Sequence, residues 1–408
     1  SPKEITDSMD QKQERVTTIH DFSLDPAALE SRLTLVNQTY TSAVLIPCLY
    51  EELTRPAIRG ICSVLSTCQF INHVIVVIYA TTREQYEAAL HYFASLPQQI
   101  TILWQHSPRV LELLSTLKGQ GFNPLAMEGK GKAVWLGLGI ASLVADVIVL
   151  HDADIRTYDR SYPLKLLFPL VERDFDIAVN KAYYARISPS PPSLNGRVVR
   201  LFLTPLLDCL VDIFGPCRYL LYLQSFRYPL AGELALTREL ALNVRIPNNW
   251  GLEIELLAEL YRNLSEKRIA QVDLGVFDHK HQIVGDRLDQ GLQKMAAGIL
   301  GSLFRTLCEI EQIVLTLDHI HALRIKFKRR GQDYIRQYFI DAKINGLTYD
   351  RHQEEGVVET FEQVILEAGR RYFTEPVNPQ IGNWNRAIAV MPDLREQLFA
   401  AAQLDRQG

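Results

Sequence analysis

A run of apolar β-formers, Val147-Ile148-Val149-Leu150, ends in His151-Asp152-Ala153-Asp154. Side chains alternate along a strand, so Asp152 and Asp154 are expected to point the same way at the carboxyl end of a buried strand. In open α/β sheets, ligands gather at that rim. Two neighbouring carboxylates repel unless a cation lies beside them. A hard divalent ion that keeps positions open for a ligand's phosphate oxygens is the natural occupant. Asp174-Phe175-Asp176 has the same spacing but precedes an apolar run instead of ending one. It reads as a solvated strand start.

Four other groupings could do chemistry. Pro47-Cys48-Leu49-Tyr50-Glu51-Glu52 follows an apolar strand. Its acids reach the same rim, where a carboxylate accepts hydrogen bonds from a ribose or base; alternatively they satisfy a helix dipole. Gly129-Lys130-Gly131-Lys132 opens a helix. Free amides, close backbone approach and the dipole suit an anion there, although the spacing is not that of a P-loop. Lys130 is the lysine expected to point inward. Asp278-His279-Lys280-His281 comes just after the last apolar strand, where an imidazole can join a metal shell and suits manganese as well as magnesium, or simply sit at the surface. Gly196-Arg197-Val198-Val199-Arg200 begins a helix after a Pro/Ser-rich stretch, 188–193. Its arginine carries a fixed fork for a carboxylate or phosphate, unless it is an ordinary surface residue.

Positioning these groups requires strands alternating with helices. Strands are read at 43–46, 74–79, 100–104 and 147–150, with helices at 55–65, 83–96 and 130–144 between them. That order predicts βαβ units in a mostly parallel sheet with helices on both faces. Beyond it come a linker or active-site loop at 188–193, a helix over 197–214 and a strand-like 229–236. A helix at 253–263 and a last strand at 269–277 follow. From about residue 289 the pattern is helical. The chain thus divides into an N-terminal arm (1–41), an α/β domain (42–285) and a helical C-terminal region (286–408). With 47% hydrophobic and 22% charged residues there is ample apolar material for a soluble core. A net charge of −4 gives no electrostatic case for nucleic acid or an anionic membrane. The basic run Lys326-Phe327-Lys328-Arg329-Arg330 reads as a solvated helix face. Six cysteines without Cys-x-x-Cys spacing suggest reduced, mostly buried thiols in a cytoplasmic protein. The apolar stretches 133–150 and 201–223 are both interrupted by acids, so neither is expected to span a membrane.

In order and spacing, these segments resemble the glucosyl-3-phosphoglycerate synthases and their mannosyl-transferring relatives. That is a retaining family with the Rossmann-like GT-A glycosyltransferase fold. The matching stretches are Pro47–Glu52, Gly129–Trp135, Asp152–Asp154, Gly196–Val198, Pro229–Glu233, Thr237–Leu240, Trp250–Ile254 and Val272–His279. The resemblance implies that Pro47, Leu49, Glu51 and Ala153 line the donor nucleotide, that Lys130 meets its phosphate or uridine side, and that Asp152 holds ribose or the metal shell. Asp154 and His279 would ligate Mg²⁺ or Mn²⁺, and Glu253 would hold the transferred sugar. Gly196, Arg197 and Val199 would form the acceptor subsite, with Asp154, Lys130 and Glu253 carrying the chemistry. The implied substrates are a nucleotide diphosphate hexose and 3-phosphoglycerate, handled by a homodimer without nucleic-acid or membrane partners. Two departures stand out. The family's Asp-x-Gly-Ser-type turn is replaced by Ile78-Tyr79-Ala80-Thr81-Thr82, and Val199 stands where a threonine is usual. Unphosphorylated glycerate as acceptor, or a sugar nucleotidyltransferase using the same acids and glycine-lysine turn, are the alternatives.

Overall fold

The computed structural model describes residues 11–36, 39–120, 122–127, 129–247, 251–279, 291–377 and 380–408. Its first half runs β1 (Thr17–Ile19), α1 (Pro26–Val36), β2 (Ser42–Leu49), α2 (Pro56–Leu65), β3 (His73–Tyr79), α3 (Arg83–Phe93), β4 (Gln99–Trp104), α4 (Pro108–Gly119), α5 (Lys130–Val144) and β5 (Val147–Leu150). There follow α6 (Ser161–Val171), β6 (Val179–Pro189), β7 (Pro192–Leu194), α7 (Thr204–Phe214), α8 (Arg218–Gln224), β8 (Leu234–Thr237), α9 (Arg238–Asn243), β9 (Ile246–Pro247), α10 (Leu252–Asn263) and β10 (Ile269–Phe277). The last elements are α11 (Gly291–Glu311), α12 (Leu317–Ile344), α13 (Arg351–Thr374), β11 (Gln380–Ile381), α14 (Trp384–Val390) and α15 (Leu394–Gln407).

The main sheet has the order β1-β10-β6-β8-β5-β2-β3-β4, with β7 added to β6. All neighbours are parallel except where β8 runs against β5 and β6, and β7 against β6. The carboxyl ends of β2 to β6 and β10 therefore share one rim with the amino end of β8. From β2 the chain lays β3 and β4 on one side, then returns to place β5 on the other. The crevice between β2 and β5 is thus a topological switch point, where such sheets bind ligands. All four residues of β5 are buried, as the continuous apolar run requires of a central strand. α5 is buried from Gly131 to Ser142, so it is apolar on every side and lies between layers. Its Trp135 stacks on Trp384 of α14 with ring centroids 4.2 Å apart. Trp384 Nε1 donates to Trp135 O (2.7 Å), and Trp135 Nε1 to Gly382 O (3.2 Å).

The elements depart from the sequence expectation where pairing is non-local. Within the N-terminal arm, Thr17–Ile19 forms an edge strand along Ala270–Val272 of β10; three residues are too few to carry a periodic signal. The Pro/Ser stretch is a hairpin, with Ser188 opposite Ser193 and Pro189 opposite Pro192, since prolines are tolerated at an edge. Within 229–236, only Leu234 onward is strand, and Ala231 N bonds back to Tyr228 O (3.1 Å) in a turn. α4 has no counterpart in the expected elements; Ser107 caps it by accepting from Arg109 N (3.2 Å), and Pro108 opens it. β10 is not the last strand, because β11 pairs antiparallel with β9. Asp174 and Asp176 are exposed before β6, as a solvated strand start should be. The basic run on α12 is only partly solvated: Phe327 is buried, Arg330 meets Asp212 (3.1 Å) and Lys328 meets Glu359 (3.9 Å). Of the cysteines, Cys48, Cys68 and Cys209 are buried, Cys62 and Cys217 half-buried and Cys308 exposed, all as free thiols. Among the described residues, no helix is long and apolar enough to cross a membrane.

Candidate active site

The rim gathers charge in a compact arrangement. Lys130, first residue of α5, places Nζ 2.7 Å from Asp152 Oδ1 and 3.1 Å from Glu253 Oε1 at the start of α10. Gly232, just before β8, lets the backbone pass: a Cβ there would sit 3.1 Å from Lys130 Nζ and 3.2 Å from Asp152 Oδ2. Burial works against the Lys130 ammonium, but the facing Asp152 and Glu253 outweigh it and hold the amine protonated well above its ordinary range. Burial likewise disfavours the Asp152 carboxylate, and Lys130 overrides it, so Asp152 ionises below its usual range. Glu233 shows the opposite balance. Burial and the Asp152 charge push its carboxyl up, while Tyr184 Oη donates to its Oε2 (2.8 Å). Beneath this group lies Lys181, 2% exposed, whose Nζ donates to Ala231 O; burial brings its amine down to about 8.

Asp154 continues from β5. An isolated antiparallel bridge between Ile155 and His279 brings His279 Nδ1 to 3.6 Å from Asp154 Oδ1. That carboxylate oxygen is buried without a hydrogen-bond partner among the described residues, a costly state unless a cation meets it. One carboxylate and one imidazole suit Mg²⁺ or Mn²⁺. No cluster of three or more His, Cys, Asp or Glu side chains converges among the described residues. The pair would therefore leave the remaining positions to a ligand's oxygens and water. Lys280 and His281 of the same stretch, and Trp250 of another, lie outside the described residues.

At the end of β2, Pro47 is half-buried and Leu49 is 48% exposed. Of the two acids that follow, Glu51 is exposed, whereas Glu52 is buried against Arg55 (2.8 Å). Ala153, between the two rim aspartates, is buried. Tyr79 lies opposite Leu49 in the pairing of β3 with β2 and is 37% exposed, its ring edge-on to His106 at 4.6 Å. It occupies the strand end where the resembled family has its polar turn.

Across the rim, Gly196 (φ +75°) takes the left-handed backbone that glycine adopts without strain, with Tyr228 Oη in the space a side chain would need. A π turn, Val198–Leu203, opens the next helix, a distortion frequent at functional sites. Arg197 and Arg200 both reach Glu354 of α13. Val199 is 6% exposed, in the buried cluster that holds Tyr184, Tyr228 and Phe277. Tyr184 stacks on Phe277 at 3.9 Å and lies 4.7 Å from Tyr228, while Phe277 approaches the His279 ring at 5.4 Å. These rings link the Asp154–His279 pair to the Gly196 turn. Sequence reasoning thus brought Lys130, Asp152, Glu253, Asp154 and His279 to one place. Glu233, Tyr184 and Glu354 carry no role expected from the sequence: Glu233 lies within the matching stretch Pro229–Glu233, and no local pattern marks the other two.

No family model matches the chain. The glucosyl-3-phosphoglycerate synthase of Methanococcoides burtonii is 41% identical over 397 residues, covering 97% of this chain and 98% of the relative. That of Persephonella marina is 35% identical over 397 residues, covering 96% and 97%. Among solved structures, the glucosyl-3-phosphoglycerate synthase of Mycobacterium tuberculosis, in complex with Mn²⁺, UDP-glucose and phosphoglyceric acid, superposes with TM-score 0.51 at 24% identity. The match covers 72% of this chain and 88% of that one. The mannosyl-3-phosphoglycerate synthase of Rubrobacter xylanophilus gives 0.54 at 21% identity, over 73% and 83%. These two likenesses establish the α/β fold with its mostly parallel sheet.

Proposed function

The chain belongs to the glucosyl-3-phosphoglycerate synthase family and is accordingly a hexosyltransferase; from that premise we propose that it moves glucose from UDP-glucose to 3-phosphoglycerate, with retention at the anomeric carbon and Mg²⁺ or Mn²⁺ bound. The observation that carries this reading is the convergence of Lys130, Asp152 and Glu253 beside the Asp154–His279 pair at the β2/β5 crevice. Pro47, Leu49, Glu51 and Ala153 line the nucleotide end of that crevice, and Asp152 reaches the ribose.

A divalent ion held by Asp154 and His279 would supply Lewis-acid neutralisation of the departing diphosphate. Lys130, kept charged by its two acids, adds a fixed positive charge at the same place, the main electrostatic task of the reaction. Glu253 orients the sugar hydroxyls. Gly196 and Arg197 hold the acceptor's anionic groups, presenting its one free hydroxyl. The glycosidic bond to the diphosphate breaks, the acceptor oxygen bonds to the anomeric carbon, and the hydroxyl proton passes to the leaving phosphate. Same-face attack is favoured because neither Asp152 nor Glu253 is a free nucleophile: both are ion-paired to Lys130. Glu233 is buried, with one carboxylate oxygen taken up by Tyr184 Oη (2.8 Å).

The test is a matrix of nucleotide sugars against 3-phosphoglycerate and glycerate, with Mg²⁺ and Mn²⁺, reading product mass and anomeric configuration. UDP-glucose with 3-phosphoglycerate should give one retained glucoside. Pyrophosphate release from a nucleoside triphosphate would mark a nucleotidyltransferase instead. The reading includes a cytoplasmic setting, in keeping with six free thiols, and a homodimer, which light scattering would test.

A further inference from the structure

The arginines of the π turn are held by a distant part of the chain. Arg197 donates Nε to Glu354 Oε1 (3.0 Å) and Nη2 to Gln353 Oε1 (2.9 Å). Arg200 donates Nη1 to the other oxygen, Glu354 Oε2 (3.0 Å), and Nε to Asn195 O (2.7 Å). Its guanidinium also lies 4.8 Å from the ring centroid of Tyr338 on α12. Glu354 is 3% exposed and Arg200 5%, whereas the Arg197 side chain is 28% exposed. One buried carboxylate thus bridges two guanidinium groups and cancels one of their two charges. The charge left over belongs with the more exposed arginine. Of the Arg197 nitrogens, Nη1 has no protein partner among the described residues, so one corner of the fork stays open to an incoming anion.

We propose that Glu354, assisted by Gln353, is the positioning residue of the acceptor subsite. It fixes the Arg197 fork before the acceptor arrives, so that ordering a long side chain is not charged against binding. It also makes the α12–α13 pair part of acceptor recognition, through a carboxylate that itself touches no substrate. The inference rests on the reading of Arg197 as an acceptor ligand.

The test compares Glu354→Gln, Gln353→Ala and Arg197→Ala in the full chain with Mn²⁺, measuring KM for 3-phosphoglycerate and for UDP-glucose, kcat and Tm. Glu354→Gln should raise the acceptor KM about tenfold, the loss of one charge-assisted hydrogen bond. Gln353→Ala, at an exposed position, should raise it about threefold, since this bond has a neutral acceptor and lies open to water. Neither should move the donor KM. If Arg197→Ala raises the acceptor KM while both others leave it unchanged, Arg197 needs no brace and the inference fails. If Arg197→Ala leaves it unchanged as well, the acceptor assignment fails, and the inference with it. If Glu354→Gln does not fold, Gln353→Ala decides alone.

Discussion

The proposed donor side and the proposed acceptor side of the rim are built on different principles. On the proposed donor side, Asp152, Asp154, Gly232 and His279 sit within four residues of the ends of β5, β8 and β10, and Lys130 begins α5. Backbone alternation and the parallel sheet place them, and their charges face one another across a partly open crevice. On the acceptor side, Arg197 and Arg200 lie in an irregular turn and take their orientation from Glu354, more than 150 residues along the chain. The first arrangement is local geometry with electrostatics added. The second is a buried ion trio that exists only when two regions are packed together, and removing its carboxylate strands a buried arginine. Chemistry should therefore fail from the first side, and acceptor affinity from the second.

The largest effect tests the first half of that contrast. Asp154→Ala should abolish measurable turnover, and His279→Ala should lower kcat by about a hundred- to a thousandfold, the cost of one group that stabilises developing charge. Full activity of Asp154→Ala in chelator would break the comparison at its root. Next comes Arg197→Ala, which should raise the acceptor KM by about 10- to 150-fold with the donor KM unmoved. A rise in the donor constant alone would transfer Arg197 to the other side of the rim.

Away from the rim, at the amino end of β3, His73 offers a control on stability. It is buried, bonded to Thr101 at 2.8 Å, and burial pulls its imidazole from 6.5 down to about 4. Between those values the unfolded chain binds more protons, so the contribution is complete above pH 6.5 and is lost as pH falls through 4. Denaturant unfolding at pH 7 and pH 4 should differ less in His73→Gln than in the parent, by about 3 kcal/mol or less. An unchanged difference would place the acid sensitivity elsewhere. The smallest effect expected is at Val199. Its side chain is buried among aromatic residues, so Val199→Thr should leave the acceptor KM within about threefold and lower Tm, as a hydroxyl buried without a partner does. A larger gain in acceptor use would show that residue 199 faces the acceptor after all.

Legibility in the sequence follows the same divide. The apolar run ending in two acids announced β5 and its rim, because a strand's period is two and its end is abrupt. The glycine-lysine turn announced α5. β1, the 188–193 hairpin and β11 gave no such signal, because each is two to six residues long and exists only through its pairing partner. Arg197 was found as a residue type with suitable geometry. Glu354 was not, since one glutamate in the first turn of an amphipathic helix looks like any other. The packing of Val199 was no more legible: the π turn, which sequence periodicity does not register, seats it among buried aromatic side chains.

The stacked tryptophans bear on how the protein comes into being. Ribosomes add about 5–20 residues per second, and 249 positions separate Trp135 from the tryptophan that covers it. For some 10–50 s of translation, then, the helix that seats Lys130 has one apolar flank without its cover. Nascent chains halted before α14 should expose this helix to protease, and chains extended beyond α15 should shield it. Protection already present in the shorter chains would show that the flank is closed some other way. If the flank does stay open until then, the lysine is locked into place by a segment made 249 positions later, and a chain halted before it has no competent site with which to squander nucleotide sugar.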